Sequence, residues 1–306
     1  MNKRTKAYIF LLTTTIIWGA ASPVIKYTLK FISPFSFLFW RFLITSLIFL
    51  PIFFIYINKN NIKLDLKKIA RLAGLGFLGT TFSLTLLFVG YSHTTAIDGS
   101  LIYSIAPILV VVGGAFFLKE EVTGIEKMGA AIAFLGSIVA IIQPLLERKA
   151  FGLENMAGNI LVFLSALAWA GYCLLMRRSE FKEKTDPLVL TAVSFFAGFI
   201  TIIPLFIIER PQLPGNCLAI ASLLNNHALP GILYMSVFSS VIAYFTYNLG
   251  YSLIEASEAV LFDYLKPVFA APLAVIWLDE QITPPFLIGA LLIALGVFLT
   301  ESRPKS

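Results

Sequence analysis

The stretch GYSHTTAIDGSLIYSIAPILVVVGGAFFLKEEVTGIEKMGAAIAFLG, residues 90–136, has a second version, GYSLIEASEAVLFDYLKPVFAAPLAVIWLDEQITPPFLIGALLIALG, at residues 250–296. At a constant offset of 160 the two align without a gap. Gly90-Tyr91-Ser92 falls on Gly250-Tyr251-Ser252, Ala96 on Ala256, Leu101 on Leu261, Pro107 on Pro267, Glu120 on Glu280, Gly129 on Gly289 and Gly136 on Gly296. Chance apolar similarity aligns leucines, but it does not bring a proline, a glutamate and two glycines into one register. A nearby offset of 151 places Trp18 and Lys26 on Trp169 and Arg177. The chain therefore reads as a duplication, with a first unit at 1–147 and a second at 148–306.

Each copy lies in strongly apolar sequence. The chain is 58% apolar and 13% charged, with mean hydropathy +0.87, against about 25% charged residues in soluble domains. Charge-free intervals occupy 8–25, 42–58, 72–97, 99–118, 128–146, 155–176, 187–208 and 228–254. Each is close to or above the roughly 17 to 25 residues that cross the hydrocarbon as a helix. A ninth span is expected over about 256–277 despite Glu258, Asp263 and Lys266, and a tenth over about 285–299. The N-terminal cluster Lys3, Arg4 and Lys6 is read as the edge of the first span and not as a cleaved leader, because Trp18 and Pro23 stand where small residues would mark cleavage. The expected fold is an all-α membrane protein of ten transmembrane helices.

Charge distribution sets the orientation. Ten spans place Lys3, Arg4, Lys6, Lys59, Lys63, Lys67, Lys68, Arg71, Lys119, Lys127, Arg177, Arg178, Lys182, Lys184, Arg303 and Lys305 on one side. The other side holds Lys26, Lys30, Arg148, Lys149 and Arg210. Cationic loops stay cytoplasmic, so both termini are expected inside, in the plasma or inner membrane. This also accounts for the net charge of +6 without a nucleic-acid partner. Five spans per unit, an odd number, invert the second unit relative to the first. Inverted repeats are an architecture in which two bundles rock about a site near the midplane.

Several residues together resemble the EamA-type members of the drug/metabolite transporter superfamily, over essentially the whole chain. They are Trp18-Gly19 with Pro23 and Lys26, Arg41-Phe42, Pro107 with Leu118-Lys119-Glu120 and Gly129, and Pro267 with Leu278-Asp279-Glu280 and Gly289. The resemblance implies two inverted five-helix repeats. It also implies a central cavity lined by the first, third, fourth, sixth, eighth and ninth spans, with the fifth and tenth as scaffold. Many members carry an acidic residue just before the second proline, whereas this chain has Lys266-Pro267 with Asp263 one turn earlier.

Asp263 and Lys266 are the leading site candidates, since a charge at membrane depth is costly unless paired or wetted, and i,i+3 spacing puts both on one face. They form either an ion pair that locks the ninth helix or a cavity site that binds an anion or exchanges a proton. Trp18, Tyr103, Trp169, Tyr172, Tyr247 and Asn248 are substrate-cavity candidates, as aromatic walls with a few polar groups suit small ligands. Tyr251 is expected in the interfacial belt. Pro107 and Pro267 are candidate gating bends. Asp98 and Glu258 are expected to act within the first turns of helices, His93 to lie at the interface, Arg41 to snorkel or cap carbonyls, and Lys26 and Arg177 to anchor span ends. Gly129, Ala133 and Gly136, with Gly289 and Gly296, form small-residue packing faces.

The cysteines, Cys173 and Cys217, give no disulfide framework or metal site. No nucleotide-binding loop, HExxH pair or haem-ligation pattern occurs. No cofactor is expected and enzyme chemistry lacks a motif. The reading is a secondary transporter moving a small metabolite, an amino acid or related compound, outward by alternating access, with protons as candidate coupling ion. An intramembrane enzyme acting on a lipid-linked substrate is the alternative from another class, and a channel or structural membrane protein is a third. Cysteines placed at Lys63 and Lys182 are expected to react with an impermeant maleimide only from the cytoplasm, and one at Arg210 only from outside. Labelling of Lys63 and Lys182 from opposite sides defeats the arrangement of five plus five spans.

Overall fold

The computed structural model describes residues 2–62, 64–117, 123–146, 152–180, 186–209, 227–254 and 260–301. Lys63, Glu120, Lys182, Arg210, Cys217 and Glu258 lie outside them. The described residues form helices and no strand: α1 (Lys3–Thr28), α2 (Pro34–Lys59), α3 (Leu66–Gly76), α4 (Ser83–His93), α5 (Ala96–Tyr103), α6 (Ala106–Phe117), α7 (Gly124–Leu146), α8 (Gly152–Glu180) and α9 (Pro187–Glu209). They continue as α10 (Leu229–Leu233), α11 (Ala243–Leu253), α12 (Lys266–Leu278) and α13 (Pro284–Glu301). Among the described residues seven runs are long and apolar enough to cross a membrane, namely Lys3–Thr28, Pro34–Lys59, Leu66–His93, Ala96–Phe117, Leu153–Met176, Pro187–Glu209 and Leu229–Leu253. Lys127–Ile142 and Pro284–Gly296 are shorter apolar helices. Large apolar side chains face outward, with Phe116 and Ile276 each 80% exposed. Such a surface suits hydrocarbon and would associate in water.

The helices that build the centre are interrupted. A π-helical segment, Phe77–Phe82, joins α3 to α4, and another, Tyr234–Ile242, joins α10 to α11. Chain direction changes at Thr94 (φ −117, ψ 175) and, 160 residues on, at Ile254 (φ −135, ψ 172), both fully extended. The sequence predicts bends at Pro107 and Pro267 within continuous spans. Instead, each proline is the second residue of a new helix, α6 and α12, after a turn at Ser104 and a 3-10 segment, Val260–Leu265. In a first turn the missing N–H removes no intrahelical bond, so the break before the proline interrupts each span.

Helix ends at one side are capped from far away in sequence. Glu209, at the end of α9, accepts from Ser33 Oγ at 2.6 Å and from the Ser36 N–H at 3.0 Å, closing the start of α2. At the end of α12, Asp279 takes the left-handed conformation (φ 55), which Asp tolerates better than most residues. Glu280 follows and accepts from the N–H groups of Ala96 and Ile97 at 2.8 and 2.9 Å. Burial pushes its carboxyl above the usual range, while those two N–H donors pull it back down. Asp98 lies in the first turn of α5 as expected, but the N-cap acceptor is Thr95 Oγ1, 3.0 Å from the Asp98 N–H.

α7 and α13 pack along each other through their small residues. A Cβ on Gly136 would stand 2.8 Å from the Gly289 carbonyl oxygen, and one on Gly296 would stand 2.5 Å from that of Gly129. Backbones this close leave no room for a side chain. Gly136→Leu and Gly296→Leu are expected to reduce folded yield and melting temperature in detergent. Gly74→Ala, where a Cβ meets nothing within 4 Å, should instead be neutral or stabilise by up to about 1 kcal/mol. Equal melting temperatures for Gly296→Leu and wild type would remove the packing argument. Glu280→Ala leaves the start of α5 without its carboxylate and should cost about 0.5–2 kcal/mol, read as a lower thermal midpoint, with Glu280→Gln losing less.

Candidate functional site

The interruptions surround a cavity. Its wall comes from α1 (Trp18, Ala21, Ser22, Ile25), α2 (Arg41), α4 (Leu84, Leu87, Tyr91), α5 with its following turn (Ser100, Tyr103, Ser104), α8 (Trp169), the second π segment (Met235, Ser239), α11 (Tyr244) and α12 (Lys266). Its volume is about 70 Å³, below the roughly 300–1,000 Å³ of ordinary ligand pockets.

π geometry has a local use here. Ser240 Oγ bonds the carbonyl of Met235, five residues back, at 2.8 Å. Carbonyls of the same segment accept from other helices, Ser236 from Thr45 Oγ1 at 3.1 Å and Ser239 from Trp18 Nε1 at 3.1 Å. π bulges free backbone groups in this way and recur at functional sites. The bond holds the Trp18 ring edge-on to Trp169 (5.8 Å) and Tyr244 (5.1 Å). Such pairs contribute about 0.5–1.5 kcal/mol each beyond their burial.

Lys266 and Asp263 meet at the break before α12, Nζ to Oδ1 2.8 Å, with side chains only 12% and 8% exposed. Asp263 lies in the 3-10 segment and Lys266 opens α12, and their i,i+3 spacing brings both side chains onto one face. Lys266 Nζ lies 4.5 Å from the Trp18 ring centre and 5.8 Å from that of Tyr103. Two aromatic faces thus supplement a single carboxylate. Arg41 is 1% exposed. Its Nε donates to Ser240 Oγ at 2.8 Å and Nη2 reaches Ser239 Oγ at 3.5 Å, while Nη1 has no hydrogen-bond partner among the described residues. Phe88 lies 5.5 Å beneath the guanidinium.

Of the residues singled out in the sequence, Trp18, Tyr103, Trp169 and Lys266 line the cavity, and Asp263 joins it through Lys266. Tyr172, Tyr247 and Asn248 stand behind this wall. Tyr172 packs on Trp169 at 5.1 Å, Tyr247 on Trp18 at 5.1 Å, and Asn248 Nδ2 donates to Thr191 Oγ1 at 2.7 Å, tying α11 to α9. Tyr251 is 5% exposed and belongs to the core instead of an interfacial belt. Lys26 donates to the Tyr91 carbonyl at 3.0 Å, and His93 pairs with Glu154 at 3.0 Å on the exposed side. Arg41 does not snorkel as the sequence predicts. It lies buried against the second π segment and bonds the hydroxyls of Ser239 and Ser240, and nothing in its neighbours along the chain reports that segment's position. Tyr244 and Ser239 were equally unmarked, although Tyr244 lies one turn from Tyr247 on α11.

The EamA-like transporter family matches residues 5–142 and again residues 156–302. An uncharacterized transporter of Archaeoglobus fulgidus is 26% identical over 305 residues, covering 99% of both chains. The uncharacterized transporter YyaM of Bacillus subtilis is 29% identical, covering 98% of this chain and 94% of its own. A protein crystal structure at 16% identity superposes with TM-score 0.65 over 96% of this chain and 94% of the other, a likeness of fold. Apolar helices and two family matches in tandem agree: this multi-pass membrane protein belongs to the EamA-like transporter family.

Proposed function

We propose that the protein is a secondary transporter that moves a small metabolite, an amino acid or related compound, outward across the plasma or inner membrane by alternating access. Ten spans are counted by adding to the seven long helices α7, the α12 segment and α13. Both termini are cytoplasmic and residues 1–147 and 148–306 are two inverted five-helix units. The tandem family match and the extended turns at Thr94 and Ile254, 160 residues apart, support the duplication. Opposite orientation follows from the odd number of spans in each unit.

The observation that carries the reading is the Lys266–Asp263 pair at a helix break in the cavity wall. A buried pair at membrane depth replaces no apolar packing to advantage, whereas it serves a cavity whose occupant exchanges with the carboxylate. Lys266 meets an anionic group of the substrate, and Asp263 is its counter-ion otherwise. Asp263 is then the group that a coupling proton neutralises. The cavity opens toward one side at a time, with Pro107 and Pro267 marking the two breaks about which the units move.

Flux in sealed proteoliposomes against amino acids, nucleotides and sugar phosphates tests the assignment, because a transporter needs a closed compartment and a gradient while an enzyme turns over in detergent. Lys266→Ala is expected to abolish flux while a folded protein is still recovered. A purely structural pair behaves otherwise. Removing one partner costs roughly 3–5 kcal/mol, and Asp263→Asn with Lys266→Met restores both stability and flux. Recovery of flux in that double variant excludes Lys266 as a substrate ligand.

A further inference from the structure

Two cations line the cavity, Arg41 and Lys266, and only one of them has a carboxylate among the described residues. The guanidinium of Arg41 is almost wholly buried, bonds hydroxyls through Nε and, at the limit of distance, Nη2, and leaves Nη1 without a partner. A buried guanidinium normally finds an anion, because its five N–H donors lose water on burial and neutral hydroxyls replace that hydration only in part. Serine hydroxyls and the Phe88 face position this group without neutralising it. Counting Asp263, the cavity side chains and their immediate partner carry one positive charge in excess.

We infer that Arg41 is the anion anchor of the cavity and that the group it recognises is the single carboxylate of a small substrate whose apolar body packs against Trp18, Trp169 and Tyr244. The inference rests on the transport reading for its setting and deepens it by naming the recognised group. One carboxylate takes the two Nη groups of Arg41, the planar fork that suits it. The excess charge is then cancelled, and Lys266, released from Asp263 in the exchange proposed above, meets the same carboxylate. Three rings meeting at 5.1 to 5.8 Å around Trp18 and Trp169 offer faces and edges for an aromatic or aliphatic body.

Equilibrium binding in detergent, with no gradient, separates this from transport. The probes are radiolabelled 3-phenylpropionate, 3-phenylpropanol and 3-phenylpropylamine, which share a body and differ in charge. Wild type is expected to bind the carboxylate and to take up the alcohol and the amine at least about tenfold more weakly. Arg41→Gln should weaken the carboxylate about 10- to 100-fold and leave the alcohol unaffected. Arg41→Lys, which keeps the charge but not the fork, should weaken it about tenfold. Equal affinity of wild type for all three probes, or no binding of the carboxylate, overturns the inference. So does unchanged carboxylate affinity in Arg41→Lys, the variant that decides the matter if Arg41→Gln does not fold. Carboxylate binding that depends on Arg41 without flux in proteoliposomes would instead remove the transport reading and leave the anion site standing.

Discussion

Hydrocarbon offers no hydrogen-bond partner, so every backbone group or charge that leaves the helical ladder at membrane depth has to be met by another part of the protein. The centre of this molecule is arranged around that constraint. Its helices are interrupted at the two π segments and at the breaks before α6 and α12. The carbonyls of Ser236 and Ser239 are met by Thr45 and Trp18, and that of Phe262 in the 3-10 segment by Thr15 at 3.0 Å. Each repair couples helices that are far apart in sequence. Trp18, Met235 and Ser239 belong both to the cavity wall and to the bonds that satisfy the interruptions.

Two kinds of helix contact follow. α7 and α13 meet at backbone distance through Gly129, Ala133, Gly136, Gly289 and Gly296, since small residues let main chains approach closely. Around the cavity the contacts are aromatic or hydroxyl-mediated. Hydroxyl pairs such as Thr14 with Thr246 at 2.8 Å and Thr81 with Thr201 at 2.6 Å can exchange partners, and tilted rings pack acceptably at several angles. A small-residue seam beside a centre of rings and hydroxyls is compatible with the alternating access proposed above.

Carboxylates show how far local sequence can mislead. Asp98 sits in the first turn of α5, where local rules place a stabilising acid, yet the long-range cap arrives from Glu280 at the far end of the chain. Glu209 does the same for α2. Both caps lie at the side where Lys26 holds the Tyr91 carbonyl. First-turn rules describe a helix in isolation, while a partly buried helix end takes its acceptor from whatever packs over it.

Composition and long charge-free runs in the sequence determined that the chain is helical and multi-pass, because lipid demands such runs, and the 160-residue register is the ground on which a duplication is proposed. Lys266 with Asp263 was legible for the same reason: charge stands out where charge is expensive. Trp18, Tyr103 and Trp169 could be named as residue types suited to a pocket, but Tyr172, Tyr247 and Asn248 fit the same description and stand one layer behind. Only the tertiary structure separated them, and only it turned Arg41 inward and brought Tyr244 and Ser239 beside it. Which side of a helix faces a cavity depends on its rotation against neighbours, and here that rotation is set by the π segments and breaks whose partners lie far away along the chain.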